Sequence, residues 1–394
     1  MSIVFVEIIL QVIIRYFSNE FQWLLTKKDE RPHFNEIVIK KIIASSYDKE
    51  LGWVRKPNSS GIDKQGDCEK EYSIDERGAR SNSKYKLLPA LISTYGDSYT
   101  FCREVEDNQT WQTFLSEKTQ TNVLNFGVGN YGLDQALLRM KREQKNNKSK
   151  ILIIAVVPET IVRIHSAWKH YSEYGNIFGF KPRYKLTNSN IELVPNPLSS
   201  SDLFYNPDSA IDFSKKNDYF YENKFKKDML TTPMLFSIFK NSGRNVELVT
   251  ALIKEKISKK YQGEPNKIVL NYNERLVRKM YKNKLATELF FRILSNYKLY
   301  AENQGSIPVF MMLPYHHDSS EYLLSGSYSY EEFVRRVREK LNLLVCNPIA
   351  SLKPDDDLSE LYNHDGYGGH LSTKGNSFVS DVLYKFIKDN QIVK

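Results

Sequence analysis

The chain has 394 residues, of which 41% are hydrophobic and 26% charged. These values are ordinary for globular proteins, so they exclude wholesale disorder, and the length allows one α/β core with a long insertion. The net charge is +9, but lysines and arginines occur along the whole chain without an arginine-rich or zinc-knuckle segment. This pattern argues against a nucleic-acid partner and leaves either a solvated basic surface or an attraction for anionic substrates.

Three cysteines, Cys68, Cys102 and Cys346, lie far apart in the sequence. Their spacing predicts neither a disulfide framework nor a zinc site, and it fits a reducing compartment. We therefore predict a cytoplasmic location, no metal and no cofactor.

The first 25 residues are apolar but are interrupted by Glu7, Gln11 and Arg15. The apolar stretch is shorter than the roughly 20 residues of a spanning helix. It also lacks the basic start and the cleavage site of a signal peptide. We expect a helix that packs on the core or lies on a membrane surface, so peripheral membrane contact through residues 1–25 stays open.

Residues 1–90 are predicted to form an N-terminal extension, because segments 26–90 are rich in turn-forming and charged residues. From Leu91 onward, short apolar runs alternate with amphipathic helical patterns, which is typical of a parallel sheet covered by helices. The predicted strands lack polar alternation, as expected when both faces are buried; they are residues 91–95, 122–128, 151–157, 306–314 and 343–349. The sequence thus predicts a three-layer α/β/α sandwich with a five-stranded parallel, flavodoxin-like sheet.

Three helices are predicted over residues 133–144, 330–341 and 376–387 from their apolar stripes. Residues 165–303 break the alternation and are predicted to be a large helical insertion between core segments 91–164 and 304–394. Either a substrate-binding lid or a purely structural appendage fits this insertion. No internal repeat is present.

Ser98 follows the first predicted strand in the sequence Gly96-Asp97-Ser98-Tyr99. A serine at the carboxyl end of a parallel strand stands where such a sheet binds ligands, and Gly96 permits a tight turn. Without partners, the same residues would simply cap the next helix.

A serine nucleophile needs a base, and the base needs an orienting acid. His370 follows Asp365 by five residues in a loop before the last helix, so these two residues are the candidate base and acid. The adjacent His316 and His317 point opposite ways in an extended segment and are weaker candidates for substrate contact or an exposed loop.

The turn after the second strand, Asn125-Phe126-Gly127-Val128-Gly129-Asn130-Tyr131-Gly132, is rich in glycine. Its backbone N–H groups could approach a developing oxyanion, although a plain β-to-α turn has the same composition. No Gly-Lys-Ser/Thr follows, which argues against a phosphate loop.

These blocks, in this order, resemble the SGNH (GDSL) hydrolase superfamily. The runs GDSYTFCREVEDNQTWQTFL and VLNFGVGNYGLDQALLRM, with the leaders ELGWVRKPN and SIDERGARS, are similar to one bacterial branch. The resemblance covers residues 48–158 and 306–390. It implies Ser98 as nucleophile and backbone oxyanion donor, His370 as general base, and Asp365 as the acid partner.

The resemblance also shows departures. The family spaces its acid three residues before the histidine, where this chain has Tyr367. Asn130 stands at the family's oxyanion glycine, next to Gly129, and can still donate through its backbone.

The third block of the family carries a donor asparagine, which is absent from the sequence after strand 151–157. Glu159 stands there instead and would repel an oxyanion unless it is protonated or turned away, so Thr160 or Arg163 is expected to supply the missing donor. Arg163 could equally bind an anionic substrate group or form an ion pair.

Aromatic residues around Trp168 suit either sugar faces or packing of the insertion. Asp97, Glu159, Arg163 and Trp168 are therefore the candidate substrate contacts. The predicted function is an esterase acting on O-acylated carbohydrate or small acyl esters. The alternatives are an acyltransferase that modifies surface polysaccharide and a non-catalytic glycan-binding module.

Overall fold

The structure is a computed structural model that describes residues 2–16, 32, 34–65, 68–188, 190–363 and 369–392. Within this part of the chain the strands are β1 (Tyr47–Asp48), β2 (Gly52–Trp53), β3 (Ser60–Gln65), β4 (Cys68–Ser73), β5 (Ile92–Gly96), β6 (Val123–Asn125), β7 (Ile151–Val156), β8 (Arg183–Leu186), β9 (Ile191–Val194), β10 (Ile307–Met312) and β11 (Leu344–Cys346).

The α-helices of the same residues are α1 (Ile3–Tyr16), α2 (Glu36–Ser45), α3 (Ser98–Phe101), α4 (Trp111–Thr119), α5 (Leu133–Glu143), α6 (Thr160–Arg163), α7 (Lys169–Ser172), α8 (Asp208–Asn217), α9 (Lys226–Asp228), α10 (Met234–Lys240), α11 (Ser242–Ile257), α12 (Glu264–Tyr281), α13 (Lys284–Asn303), α14 (His316–Ser325), α15 (Glu331–Leu341), α16 (Leu358–Leu361) and α17 (Thr373–Asp389). Searched over the described residues, none of these helices has the length and apolar character needed to cross a membrane.

The central sheet has five strands in the order β11-β10-β7-β5-β6, and every neighbouring pair is parallel. All six residues of β7 are buried, which explains why its sequence is a continuous apolar run. The five predicted strands and the parallel sheet are confirmed.

Helices cover both faces of this sheet, and alternate residues of β7 feed two separate cores. Leu152, Ile154 and Val156 pack with residues of α5, α13 and α15. Ile151, Ile153 and Ala155 pack with residues of α4 and α17 on the opposite face. The predicted three-layer sandwich is therefore confirmed.

The segments outside the sheet pack on it in different ways. The N-terminal segment forms helix α2 and two antiparallel ribbons, β1-β2 and β3-β4. Helix α13 lies directly on the sheet, where the Tyr297 hydroxyl donates to the carbonyl oxygens of Leu152 (2.6 Å) and Val309 (2.9 Å). The domain boundaries drawn at residues 90, 164 and 303 stay a prediction.

Candidate active site

Ser98 is the first residue of α3, directly beyond the carboxyl end of β5. The turn between them needs glycine, because a Cβ on Gly96 would lie 1.7 Å from the carbonyl oxygen of Ala155 on β7. Ser98 is buried at 8% exposure, and its side chain lines a pocket at this edge of the sheet. The sequence after β5 thus delivers a serine hydroxyl to a ligand-accessible position.

Asp97 holds this turn rather than facing the pocket. Its carboxylate accepts hydrogen bonds from the backbone N–H groups of Tyr99 and Val157, both at 2.9 Å, which ties the ends of β5 and β7 together. The residue has no solvent exposure. Asp97 is therefore corrected from a substrate contact to the cap of α3.

His370 Nε2 lies 3.0 Å from Ser98 Oγ, within the reach required of a general base. The preceding Gly369 has a φ of +64°, and a Cβ there would lie 1.6 Å from the carbonyl oxygen of Asn363. Tyr99 supports the same loop, because its hydroxyl donates to the Gly369 carbonyl at 2.8 Å and its ring centroid lies 4.9 Å from that of His370. The structure thus brings Ser98 and His370 together.

Glu104 is the carboxylate that contacts His370. Its Oε1 lies 2.6 Å from His370 Nδ1, and its Oε2 accepts the His370 backbone N–H at 3.3 Å. The residue is 2% exposed. Burial by itself would raise the pKa of this carboxyl, but its hydrogen bonds and electrostatic interaction with His370 bring that pKa below its usual value. Glu104 therefore occupies the position of the orienting acid.

Arg80 from the N-terminal segment fixes the loop that presents Glu104. Its guanidinium is buried and donates to the carbonyl oxygens of Phe101 (2.8 Å), Cys102 (2.5 Å) and Val105 (2.5 Å). These bonds hold Cys102 and Glu104 in left-handed conformations, with φ of 62° and 68°, which are uncommon for residues other than glycine. The extension is thus part of the site's support.

Glu104 is the functional residue that sequence reasoning missed. Asp365, the predicted acid, lies outside the described residues, so the structure says nothing about its position. The available signal was a carboxylate six residues after Ser98, in the same block as the nucleophile. The left-handed turns that fold Glu104 back toward His370 have no glycine to mark them.

Three backbone N–H groups are candidate oxyanion donors. Among the described residues, the N–H groups of Ser98, Gly129 and Asn130 make no backbone hydrogen bond, and all three residues line the pocket. Asn130 has a φ of 69°, the left-handed geometry that asparagine tolerates. Thr160 is a correction: it is fully buried, and its hydroxyl accepts the Leu133 N–H at 2.8 Å, so it stabilises the start of α5 instead.

Glu159 and Arg163 form an ion pair on the pocket wall, with Arg163 Nη2 2.7 Å from the Glu159 carboxylate. Arg163 Nη1 also contacts Asp97 at 3.2 Å and the Tyr131 carbonyl at 3.3 Å. Burial raises the pKa of Glu159, while the charge of Arg163 opposes that rise. The Glu159 carboxylate, which was expected to repel an oxyanion, is thus paired with Arg163. The Arg163 guanidinium in turn contacts three partners.

The pocket has a volume of about 230 Å³ and two kinds of wall. Helix α12 of the insertion contributes apolar side chains, including Leu276 and Val277. The other walls carry charged and polar groups, among them Arg103, Glu159 and Glu173. The insertion therefore takes part in forming the pocket.

Trp168 does not reach this pocket. Its ring stacks on Phe180 at 4.6 Å, and its indole N–H donates to the Ile177 carbonyl at 2.8 Å. The aromatic cluster around it packs the insertion on the core, which corrects the expectation of a substrate contact. The weaker histidine candidates are also elsewhere: the His316 ring packs on Tyr362, and His317 lies beside Arg278.

Within the described ranges, no group of His, Cys, Asp and Glu side chains is arranged to hold a metal ion. The described part of the site offers a serine hydroxyl, an imidazole and a carboxylate. This arrangement can support proton transfer from a hydroxyl and attack on an electrophilic carbon.

No family model matches the sequence, and no curated protein matches it. Solved structures that align include a lipolytic protein of the G-D-S-L family from Desulfitobacterium hafniense (12% identity, TM-score 0.35, 75% of this chain and 98% of that one). Others are an α/β hydrolase from the metagenome of Lake Arreo (8%, 0.37, 76% and 96%) and a mutant acetylxylan esterase from Geobacillus stearothermophilus (9%, 0.34, 75% and 93%). The fold is assigned from the chain's own sheet, and the SGNH resemblance stays a prediction.

Proposed function

We propose that the chain is a serine hydrolase that cleaves ester bonds through an acyl-enzyme on Ser98. One observation carries the proposal: Ser98 Oγ, His370 and Glu104 are linked by contacts of 3.0 and 2.6 Å. A hydroxyl, an imidazole and a buried carboxylate in this order form the arrangement that activates serine in unrelated folds.

In the proposed reaction, Ser98 Oγ attacks the ester carbonyl carbon while His370 Nε2 takes the hydroxyl proton. Glu104 stabilises the resulting imidazolium through Nδ1. The N–H groups of Ser98, Gly129 and Asn130 donate to the oxyanion. The C–O bond to the alcohol then breaks, and His370 returns its proton to the leaving oxygen. Water, deprotonated by His370, attacks the acyl-serine and releases the carboxylic acid.

The pocket favours a small acyl group on a polar alcohol. A volume of about 230 Å³ is below the lower end of drug-sized ligand sites, about 300 Å³. The apolar face of α12 suits the acyl chain. Asn273 on the lining suits hydroxyl groups, since an amide both accepts and donates hydrogen bonds. O-acylated carbohydrates and small acyl esters fit this combination.

Fluorophosphonate labelling of the full chain tests the proposal. We expect covalent modification at Ser98 and hydrolysis of 4-nitrophenyl acetate, with both lost in Ser98→Ala; loss of a triad serine typically costs about 10⁶ in kcat. Ser172→Ala is the matched control, because Ser172 lines the same pocket but its hydroxyl donates to the Lys169 carbonyl at 3.1 Å.

A folded wild-type chain that neither labels nor hydrolyses short esters would instead indicate a non-catalytic binding module. Product analysis with a sugar alcohol added as acceptor separates the two catalytic outcomes. Free acid as the dominant product supports the hydrolase, and acyl transfer to the sugar as the dominant product supports a transferase.

A further inference from the structure

Helix α1 presents an apolar stripe to solvent. Phe5, Ile8, Val12 and Tyr16 recur at helical spacing and are 50%, 54%, 62% and 81% exposed. A surface helix of a globular protein normally turns this kind of stripe toward the core. Here an apolar stripe faces outward, which marks an interaction surface.

The helix is nevertheless attached to the rest of the chain through its other face. Both carboxylate oxygens of Glu7 accept backbone N–H groups at the start of α10, from Met234 (2.7 Å) and Leu235 (2.8 Å). Leu10 packs on the cluster formed by α10, α11 and α12. The orientation of α1 is therefore fixed by contacts, and its exposed stripe is part of the folded structure.

Helix α10 extends the same apolar surface. Phe236 and Phe239, spaced three residues apart, are 70% and 66% exposed. Together with Ile3 and Val4 of α1 they line a shallow groove of about 390 Å³. We call these exposed side chains of α1 and α10 the apolar face.

The net positive charge of the chain lies in the segment that contains α10 and the helices packed with it. Residues 226–284 contain 14 Lys and Arg against 5 Asp and Glu, a surplus of nine. The rest of the chain has 42 of each sign, so this segment accounts for the whole +9. Lys240, Lys254 and Lys256 of this segment are exposed.

We propose that the apolar face docks on an anionic lipid bilayer. Interfacial membrane binding has two contributions. Apolar side chains insert at the boundary between headgroups and acyl chains, and lysines and arginines attract anionic headgroups. A second copy of the chain is disfavoured as the occupant, because it would bring two segments of the same positive charge together. The same helix α12 packs behind α1 and forms a pocket wall, so docking would orient the pocket relative to the bilayer.

Vesicle flotation of the full chain tests this inference. We expect flotation with vesicles of phosphatidylcholine mixed with phosphatidylglycerol, and at least about tenfold weaker binding to phosphatidylcholine alone or at high salt. The double variant Phe236→Glu/Phe239→Glu should bind the anionic vesicles at least about tenfold less. The matched control is Leu87→Glu/Leu324→Glu, which changes the charge equally at side chains 98% and 90% exposed elsewhere, and it should bind like the wild type.

Circular dichroism and fluorophosphonate labelling verify that both double variants are folded. Three results would overturn the inference: no flotation of the folded wild type, equal loss in both variants, or equal binding to neutral and anionic vesicles. Sedimentation in the absence of lipid can give a fourth contradicting result. If the wild type is a dimer and Phe236→Glu/Phe239→Glu is a monomer, a second copy of the chain occupies the apolar face.

Discussion

The serine side of the pocket and the wall formed by Glu159 are built on different principles. On the serine side, Ser98, His370 and Glu104 form one line of contacts, in which His370 is placed to take the serine proton and Glu104 to orient the imidazole. On the other wall, Glu159 and Arg163 are paired with each other, and the Arg163 Nε, which has no hydrogen-bond partner, is buried. In the proposed mechanism, proton transfer would use the serine side, whereas stabilisation of negative charge would use backbone N–H groups. The proposed reaction would thus meet its two requirements with different parts of the pocket.

Of the substitutions that compare the serine side with the Glu159 wall, Glu104→Gln is expected to change activity most. A neutral amide cannot stabilise the imidazolium and can favour the wrong tautomer of His370, so kcat should fall by about 10³ to 10⁴. Steady-state hydrolysis of 4-nitrophenyl acetate measures this change, and the thermal midpoint shows whether the variant is folded.

Two controls accompany this variant. Glu106→Gln makes the same change two residues away, at a side chain 52% exposed that pairs with Lys70, and it should keep wild-type activity. Asp365→Asn tests the acid predicted from sequence spacing. A larger loss in Asp365→Asn than in Glu104→Gln would reassign the orienting role to Asp365.

A smaller effect, of opposite sign, is expected for Glu159→Gln. Removing the negative charge leaves Arg163 less neutralised beside the developing oxyanion, so kcat/KM should rise by about three- to tenfold, equivalent to about 1 kcal/mol. Because burial raises the pKa of Glu159, this carboxylate takes up a proton at a higher pH than an exposed glutamate does. The gain from Glu159→Gln should therefore shrink as the pH falls through this raised pKa.

Glu173→Gln is the control for this second wall. Glu173 lines the pocket but pairs with Lys169 at 3.0 Å, so its substitution should change kcat/KM less. A loss of tenfold or more in folded Glu159→Gln would mean that the carboxylate binds substrate or transfers a proton.

The smallest effect is expected for Tyr99→Phe on the serine side. The variant removes the hydrogen bond to the Gly369 carbonyl but keeps the ring against His370. A bond of this kind contributes about 1 kcal/mol, so kcat should fall about fivefold with little change in KM. Tyr384→Phe, on α17, should leave kcat unchanged, and an equal loss in both variants would show a general loss of stability rather than of histidine positioning.

The strands of the sheet could be predicted because burial on both faces leaves an unambiguous sequence pattern. The run at 151–157 is apolar at every position, and β7 occupies Ile151–Val156. The β3-β4 ribbon was missed for the opposite reason. Its residues 60–65 and 68–73 are mostly polar and charged, so they carry no apolar periodicity, and their pairing depends on tertiary contacts.

Site residues could be predicted from the sequence only where a glycine that the turn requires stands close to the reactive side chain. Gly96 and Gly369 mark the turns that present Ser98 and His370, because no other residue fits there. Glu104 lacks such a marker, since it takes a left-handed conformation without glycine, in a loop whose carbonyl oxygens bind Arg80 from far away in the sequence. Trp168 shows the converse case, because an aromatic cluster in sequence does not reveal whether it faces ligand or core.

Ser98 and Glu104 lie within one short segment, whereas His370 comes from the other end of the chain, beside the start of α17. Helix α17, which follows His370, packs on α4. We expect local opening of that helix to loosen the contact between the two residues before the sheet unfolds. Catalytic activity would then report on a partial unfolding equilibrium, and it should be lost on heating before the far-ultraviolet signal of the remaining helices.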